Sequence, residues 1–489
     1  MKLAAEGATE WPSIAGLDGH VEDAAIPSVP VKEIELATIV EYLSDYAASL
    51  RFEDLPSDVV HQTKRMLVDT LGCAVGGFSS EPSAVARALA DTVVSRQPAT
   101  VLGSGQETSP DLATFANGVM IRYLDFNDGY TGKETGHPSD TIAAVLSPAE
   151  VVHRDGTRVI TATVLAYEVF CRLCDAVSVR SRGFDHVTLG AIASTLGAAK
   201  AMGLSREQMA QALNLSVAAN VALHQTRIGD VSLWKGCAFA NASRNAVFAV
   251  LLAGRGLAGP SPIFEGRGGF FNAVSGEPFA LAPFGGHGRP FKIMECTIKR
   301  FPLGLYSQTV VEAALEVRQQ LRSVEDIREV NIQTLQTAVN IMAGDAEKWR
   351  PTNRETADHS MPYTAAVALM YGTVEPRHFD ADYWRDPRLL ALVQRVKVSV
   401  SEEANRLAPE AMLSVVEVVT SGGERLTAAV PYHRGHWKNP MTDHEVETKF
   451  RALAHDVLTP TQTDALLERL WNLEEVKDIG EVIKMVKWS

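Results

Sequence analysis

Phe264-Glu265-Gly266-Arg267-Gly268-Gly269-Phe270-Phe271 separates two parts of the chain that follow different periodicities. Upstream, Leu36, Ile39, Val40, Leu43, Ala47 and Leu50 recur at three-and-four spacing, the mark of one buried helix face. Pro56 suits a helix start and Gly76-Gly77 its end. The segments 191–202, 209–223 and 240–252 are rich in Ala, and small side chains let helices approach closely. This half predicts an all-helical domain, and the Gly- and Phe-rich stretch reads as a loop crossing a cleft or a subunit boundary.

Downstream the signal changes. Val330, Ile332 and Thr334 alternate with polar residues, as do Val396, Val398 and Val400, which is the pattern of half-buried strands. Residues 415–420 and 426–430 flank Ser421-Gly422-Gly423-Glu424 and read as a hairpin. Helices are expected near 308–321 and 361–371. Thr442-x-x-Glu445 then forms a capping box, and Phe450, Leu453, Val457, Leu466, Leu467, Leu470 and Trp471 return to helical spacing. The expected fold is mainly α: a helical domain over 35–293, a smaller α+β lid domain over 294–436, and a helical return over 437–489, with a cleft between the two parts.

Composition limits the function. The chain has 489 residues, 46% hydrophobic and 21% charged, as a soluble globular protein does. Its net charge of −13 argues against a general nucleic-acid or anionic-membrane surface, so any anionic ligand is held by local cations. Five cysteines, at 73, 171, 174, 237 and 296, form no disulfide-like framework and are expected as free thiols. Cys171-x-x-Cys174 lies on an apolar helical segment and reads as core, and no metal or iron–sulfur site is expected. Residues 1–34 carry mostly acidic charge among Pro and Gly and read as a loose arm, unlike a transit or secretory peptide. No window of roughly twenty apolar residues stands out, and a cytoplasmic location is expected.

One polar run carries the chemistry: Leu124-Asp125-Phe126-Asn127-Asp128-Gly129-Tyr130, followed by Gly136-His137-Pro138-Ser139-Asp140. Three Asp, an Asn and a His within so short a span of an Ala- and Val-rich chain supply the titratable groups that acid–base catalysis needs. A solvated loop is the alternative.

With these residues, the chain resembles the MmgE/PrpD family, which includes 2-methylcitrate dehydratases, cis-aconitate decarboxylases and iminodisuccinate epimerases. The resemblance covers nearly everything after the acidic arm. It rests on 68–74 (VDTLGCA), on the polar run, on Phe184-Asp185-His186, on Trp234-Lys235-Gly236, on Lys299-Arg300-Phe301-Pro302 with Ser307-Gln308-Thr309, and on Asp358-His359 with Tyr363. It implies a large helical domain with an α+β lid, a homodimer, and a cofactor-free reaction.

The resemblance also implies an active-site set of Asp125, His137, His186, Lys235, Lys299 and Tyr363. In it, His137 and His186 are the base and acid in unspecified order, and Asp125 orients or charges one of them. Lys235 and Lys299 pair with the carboxylates of a tricarboxylate, and Tyr363 donates a hydrogen bond. The helix start after Pro138 adds free N–H groups. Arg354 and His359 are further candidates for a substrate carboxylate, with a surface ion-pair loop as the alternative. Arg122 either binds substrate or pairs with an acid; Arg244, nine residues after Lys235, falls on the opposite helix face.

The expected activity is a hydro-lyase that dehydrates 2-methylcitrate or a related hydroxy-tricarboxylate. A decarboxylase or epimerase on the same scaffold is the enzymatic alternative, and a helical scaffold protein the non-enzymatic one. Two departures bear on substrate: Leu303-Gly304-Leu305-Tyr306 lacks the histidine that decarboxylases carry there, and Gly129 stands where dehydratases tend to have Thr.

Overall fold

A computed structural model describes residues 37–487; the acidic arm read over 1–34 lies outside the described residues. The fold is mainly α, and its apolar side chains form two large cores. The first joins the helices between Ile39–Ser49 and Trp234–Ala253 to the C-terminal helices Asp443–Ala454, Pro460–Trp471 and Ile479–Met485. Thr38 caps the first of these with a capping box to Glu41, and Thr442 and Glu445 do the same at the helical return. All five cysteines are free and buried.

Trp234–Ala253 packs against Pro110–Tyr123, Val187–Met202 and Arg206–Ala219. An 18-residue window of this 20-residue helix reaches a mean hydropathy of 1.2, so by length and composition alone it is apolar enough to cross a membrane. The expectation that no window qualifies is therefore corrected. In the fold this helix buries Phe239, Ala240, Val247 and Val250 in the first core. An Ala-rich helix surrounded by helices needs as apolar a composition as one surrounded by lipid.

The second core packs helices Gln308–Gln320 and Met361–Tyr371 with a four-stranded sheet. The strand order is Val396–Val400, Ile327–Thr334, Ser414–Thr420, Arg425–Val430. The first pair is parallel, with Val330 opposite Val396, and the other two pairs are antiparallel. A register shift between Ile327 and Glu329 explains why buried positions step from Ile327 to Val330 before alternating through Ile332 and Thr334.

The Phe264–Phe271 stretch crosses no cleft. Phe264, Phe270 and Phe271 are buried in the first core, with the Phe264 and Phe270 rings 5.3 Å apart, and Glu265 accepts a hydrogen bond from the Ile39 N–H (2.8 Å). The chain passes between the cores at 296–300. There Gly129 and Thr297 exchange two backbone hydrogen bonds (2.9 and 2.8 Å), and the Ile298 N–H donates to the Gly435 carbonyl (3.0 Å). Residues 296–300 thus lie against the polar run on one side and the returning chain on the other.

Candidate active site

Asp125 follows the helix Pro110–Tyr123 with φ of +50°, a left-handed conformation that Asp adopts more readily than bulky residues. Its fully buried carboxylate sits among cations. Oδ1 is 2.8 Å from Arg122 and 2.5 Å from Lys299, and Oδ2 is 3.3 Å from Lys235 and 3.2 Å from His359 Nε2. Burial by itself would raise this carboxyl, but Arg122, Lys299, His359 and Lys235 together hold it well below the usual carboxylate range. Asp358 supplies a second anion, 2.6 Å from Lys235 and 2.6 Å from His359 Nδ1. Burial and then Lys235 push His359 down to about 4, against the pull of both carboxylates.

This cluster changes the expected roles. Lys235 and Lys299, expected on substrate carboxylates, are 1% and 0% exposed and are neutralised by Asp125 and Asp358. Asp125 touches neither His137 nor His186; the histidine it meets is His359. Asp125, Asp358 and His359 bring ligand atoms within 4.8 Å of one another. Arg122, Lys235 and Lys299 already engage those carboxylates, so a divalent cation would face three like charges there.

His137 donates from Nδ1 to the Asp128 carbonyl (2.7 Å), since a carbonyl can only accept. The neutral ring therefore presents its lone pair at Nε2, where Arg122 donates from 3.0 Å. Burial, then Arg122 and Lys299, hold His137 well below the ordinary histidine value. Arg122 thus links Asp125 to His137, and it also approaches Asp140 (3.5 Å). Burial pushes Asp140 up to about 7 and Asp128 up to about 6. The Ser139 N–H expected to meet an anionic ligand is taken by Asp128 Oδ1 (3.0 Å).

His186 is arranged differently. Its Nδ1 lies 2.9 Å from Asp185 Oδ1, and its buried Nε2 has no partner among the described residues. Asp185 is itself fixed by Arg227 Nε (2.8 Å) and by the Val187 N–H (3.1 Å). Burial lowers the pKa of His186 while Asp185 opposes that. Gly136 lets the ring in, because a Cβ there would fall 3.0 Å from His186 Cδ2 and 2.5 Å from Phe170 Cζ. The His137 and His186 rings meet edge-on at 5.7 Å.

Both histidines line a cavity of about 60 Å³ together with Arg122, Thr135, Arg180, His224, Arg227, Gly304, Leu305, Tyr306, Ile341, Met342 and His359. One wall comes from elements of the first core and the other from elements of the second. Tyr363 is not on it: its ring is buried in the second core beside Phe379, and its hydroxyl donates to the His378 carbonyl (2.6 Å). Arg354 is also elsewhere, bonded to the Pro376 carbonyl (3.0 Å) and set over the Tyr123 ring. Arg244 donates to Asn245 (2.7 Å) and does not reach the cavity. Sequence reading missed Arg180, His224 and Arg227. Their signal was position: Arg180 stands four residues before Phe184-Asp185-His186, and His224-Gln225-Thr226-Arg227 is a polar break after an Ala-rich helix.

Residues 41–282 match the model of the MmgE/PrpD N-terminal domain, and residues 301–473 match that of the MmgE/PrpD C-terminal domain. The chain belongs to the MmgE/PrpD family. It is similar to the 2-methylcitrate dehydratase of Escherichia coli (strain K12), 29% identical over 75% of this chain and 77% of that one. It is also similar to the 2-methylcitrate dehydratase of Cupriavidus necator, at 28% over 82% and 85%. A third relative is the cis-aconitate decarboxylase of Homo sapiens, at 26% over 92% and 95%.

One of the quoted motifs lies outside the cavity and acts by support. Asp69, from the first motif, pairs with Lys449 (2.6 Å), whose ammonium also donates to the carbonyls of Phe126 (2.7 Å) and Lys299 (2.9 Å). It therefore ties together the backbones that carry Asp125 and its lysine. Gly129, the departure noted above, faces Leu305: a Cβ there would lie 2.8 Å from Leu305 Cδ2. Gly129→Thr should destabilise the chain by about 1–3 kcal/mol through overpacking. Leu305→Ala in the same chain should recover most of that loss, as read from urea denaturation midpoints.

Proposed function

We propose that this chain is a cofactor-free hydro-lyase that dehydrates 2-methylcitrate or a closely related hydroxy-tricarboxylate, with residues 294–436 acting as a lid over the site. The observation that carries the reading is the Asp185–His186 pair, whose unpartnered Nε2 lies at a cavity lined by arginines. Dehydration breaks a C–H bond next to a carboxylate, forms the C=C bond from its electron pair, and expels hydroxide. His186 Nε2 takes the proton, and Asp185 stabilises the imidazolium that results. The departing hydroxide takes a proton in turn and leaves as water, and His186 is the proton source at hand. His137 has Nε2 engaged by Arg122; a substrate oxygen entering between them would accept from Arg122 and be held in place. The names of the relatives support the reaction class, two being 2-methylcitrate dehydratases.

The test is absorbance in the ultraviolet band of a conjugated aconitate, with chelator-treated protein and either 2-methylcitrate or citrate, beside His137→Ala and His186→Ala. A rise that survives the chelator and is lost in the variants is expected. No rise with either substrate overturns the dehydratase reading, and cis-aconitate decarboxylation would then be assayed.

The pH profile gives a second check. His186 lies below the ordinary 6.5, so the acid limb of kcat/KM should have its midpoint below pH 6.5. Asp185 raises the pKa of His186; Asp185→Asn should therefore move that limb to still lower pH and reduce kcat by about a hundredfold.

A further inference from the structure

Arg180 and Arg227 stand at the cavity wall with no part in the proton transfers. Arg180 lies in the turn Arg180–Arg182 and is aimed by Glu134, a buried carboxylate held by the Ser178 hydroxyl (2.9 Å) and by the N–H groups of Val179 (3.1 Å) and Arg180 (3.2 Å). One terminal nitrogen of Arg180 meets Glu134 at 2.9 Å. Its other terminal nitrogen has no protein partner among the described residues, and its Nε is buried without one. Arg227 spends Nε on Asp185 (2.8 Å) and NH1 on the Lys235 carbonyl (3.2 Å), and its NH2 is buried with no partner among the described residues. His224, on the same turn, leaves Nδ1 buried with no partner among the described residues. The His224 N–H donates to the Gly183 carbonyl (2.9 Å) and Phe184 bridges to Leu223, so the two turns are tied together.

Buried polar atoms without partners are costly, and a wall that keeps several of them is built for a ligand. Among the described residues no Asp or Glu lines this cavity. The two lysines nearby have their ammonium groups engaged by protein groups, whereas Arg180 and Arg227, each also paired with one carboxylate, keep further donors without a partner among the described residues. An arginine fork matches a carboxylate with two parallel donors, which an ammonium cannot do.

We propose that Arg180, with Arg227 and His224, forms the carboxylate-recognition wall of the cavity, and that Arg180 sets the preference for a tricarboxylate over an analogue with one carboxylate fewer. The proposal rests on the functional reading above for its substrate class. Its test is separable because it reads binding of an unreactive probe. Tricarballylate has three carboxylates and no hydroxyl to lose; glutarate has the same carbon spacing with the central carboxylate missing.

Both are titrated calorimetrically at fixed ionic strength into wild type, Arg180→Met and Arg180→Lys. Wild type should bind tricarballylate at least about tenfold more tightly than glutarate. Arg180→Met should lose about a hundredfold in tricarballylate affinity and Arg180→Lys about tenfold, with glutarate little changed. Arg180→Lys keeps a cation beside Glu134, so it remains informative where the Met variant fails to fold. An unchanged tricarballylate-to-glutarate ratio in the Lys variant, or no preference in wild type, overturns the proposal. Arg180-dependent binding without turnover of 2-methylcitrate would leave it standing and remove the dehydratase reading. Turnover with KM unmoved by Arg180→Lys would do the reverse.

Discussion

His186→Ala is expected to lower kcat by about 10²- to 10⁴-fold with little change in the thermal midpoint. The effect on rate should be large because, of His137 and His186, the two histidines that meet edge-on at the cavity, His186 has the free ring nitrogen; His137 has both nitrogens engaged, one by the Asp128 carbonyl and one by Arg122. The effect on stability should be small for two reasons. The ring already borders the cavity, so its removal enlarges a space that water can enter and opens no sealed void. Asp185 also retains Arg227 and the Val187 N–H, so no buried charge is orphaned. Initial rates with 2-methylcitrate, set beside circular dichroism melts, check both halves. A variant that melts with wild type and turns over at a comparable rate would move the base elsewhere. His137→Ala should behave differently, because it strips Arg122 of an acceptor inside a fully buried cluster; a lowered midpoint should accompany its loss of rate.

Local signals were legible where the physics is local. Helix faces, the Thr442–Glu445 cap and the Gly422-Gly423 hairpin follow from spacing and turn chemistry, and the structure has them. The parallel pairing of Ile327–Thr334 with Val396–Val400 was not legible, because both strands carry the same alternating signal whichever neighbour they take. The site divides in the same way. That Asp125 and His137 share one polar run could be read from residue types, and His186 joined them only through the family resemblance, but the partner of each charge could not be read at all. A lysine in apolar surroundings must be compensated, and spacing does not say whether by a ligand or by the protein. Asp358, 123 residues from Lys235, is what decides it, as does Asp125 for Lys299 across 174 residues. Tyr363 failed for a related reason: half a helical turn separates a side chain facing the cavity from one facing the second core, and its hydroxyl found the His378 carbonyl.

Asp125→Ala should destabilise the chain by about 3–5 kcal/mol, the cost of leaving buried charge uncompensated. As it stands, Arg122, Lys235 and Lys299 share Asp125 and Asp358. Removing one carboxylate sets three cations against one remaining anion in a site that water does not reach, with Lys299 left facing only the carbonyl at position 125 (2.9 Å). Asp125→Asn keeps the shape and one acceptor oxygen but not the charge, so it should recover the packing and little of the electrostatics. If the carboxylate mattered only to a proton transfer, both variants would melt with wild type; if charge holds the cluster, both should melt lower. The pH dependence has a defined sign. The Asp125 pKa is depressed in the fold, so its contribution is fully present above the ordinary carboxylate value of 3.8 and is lost as pH falls through the lower folded value. Wild type and Asp125→Asn should therefore differ by a constant amount across neutral pH and converge only in strong acid. Activity should fall in both variants, because Arg122, released from Asp125, no longer has a fixed position from which to hold His137.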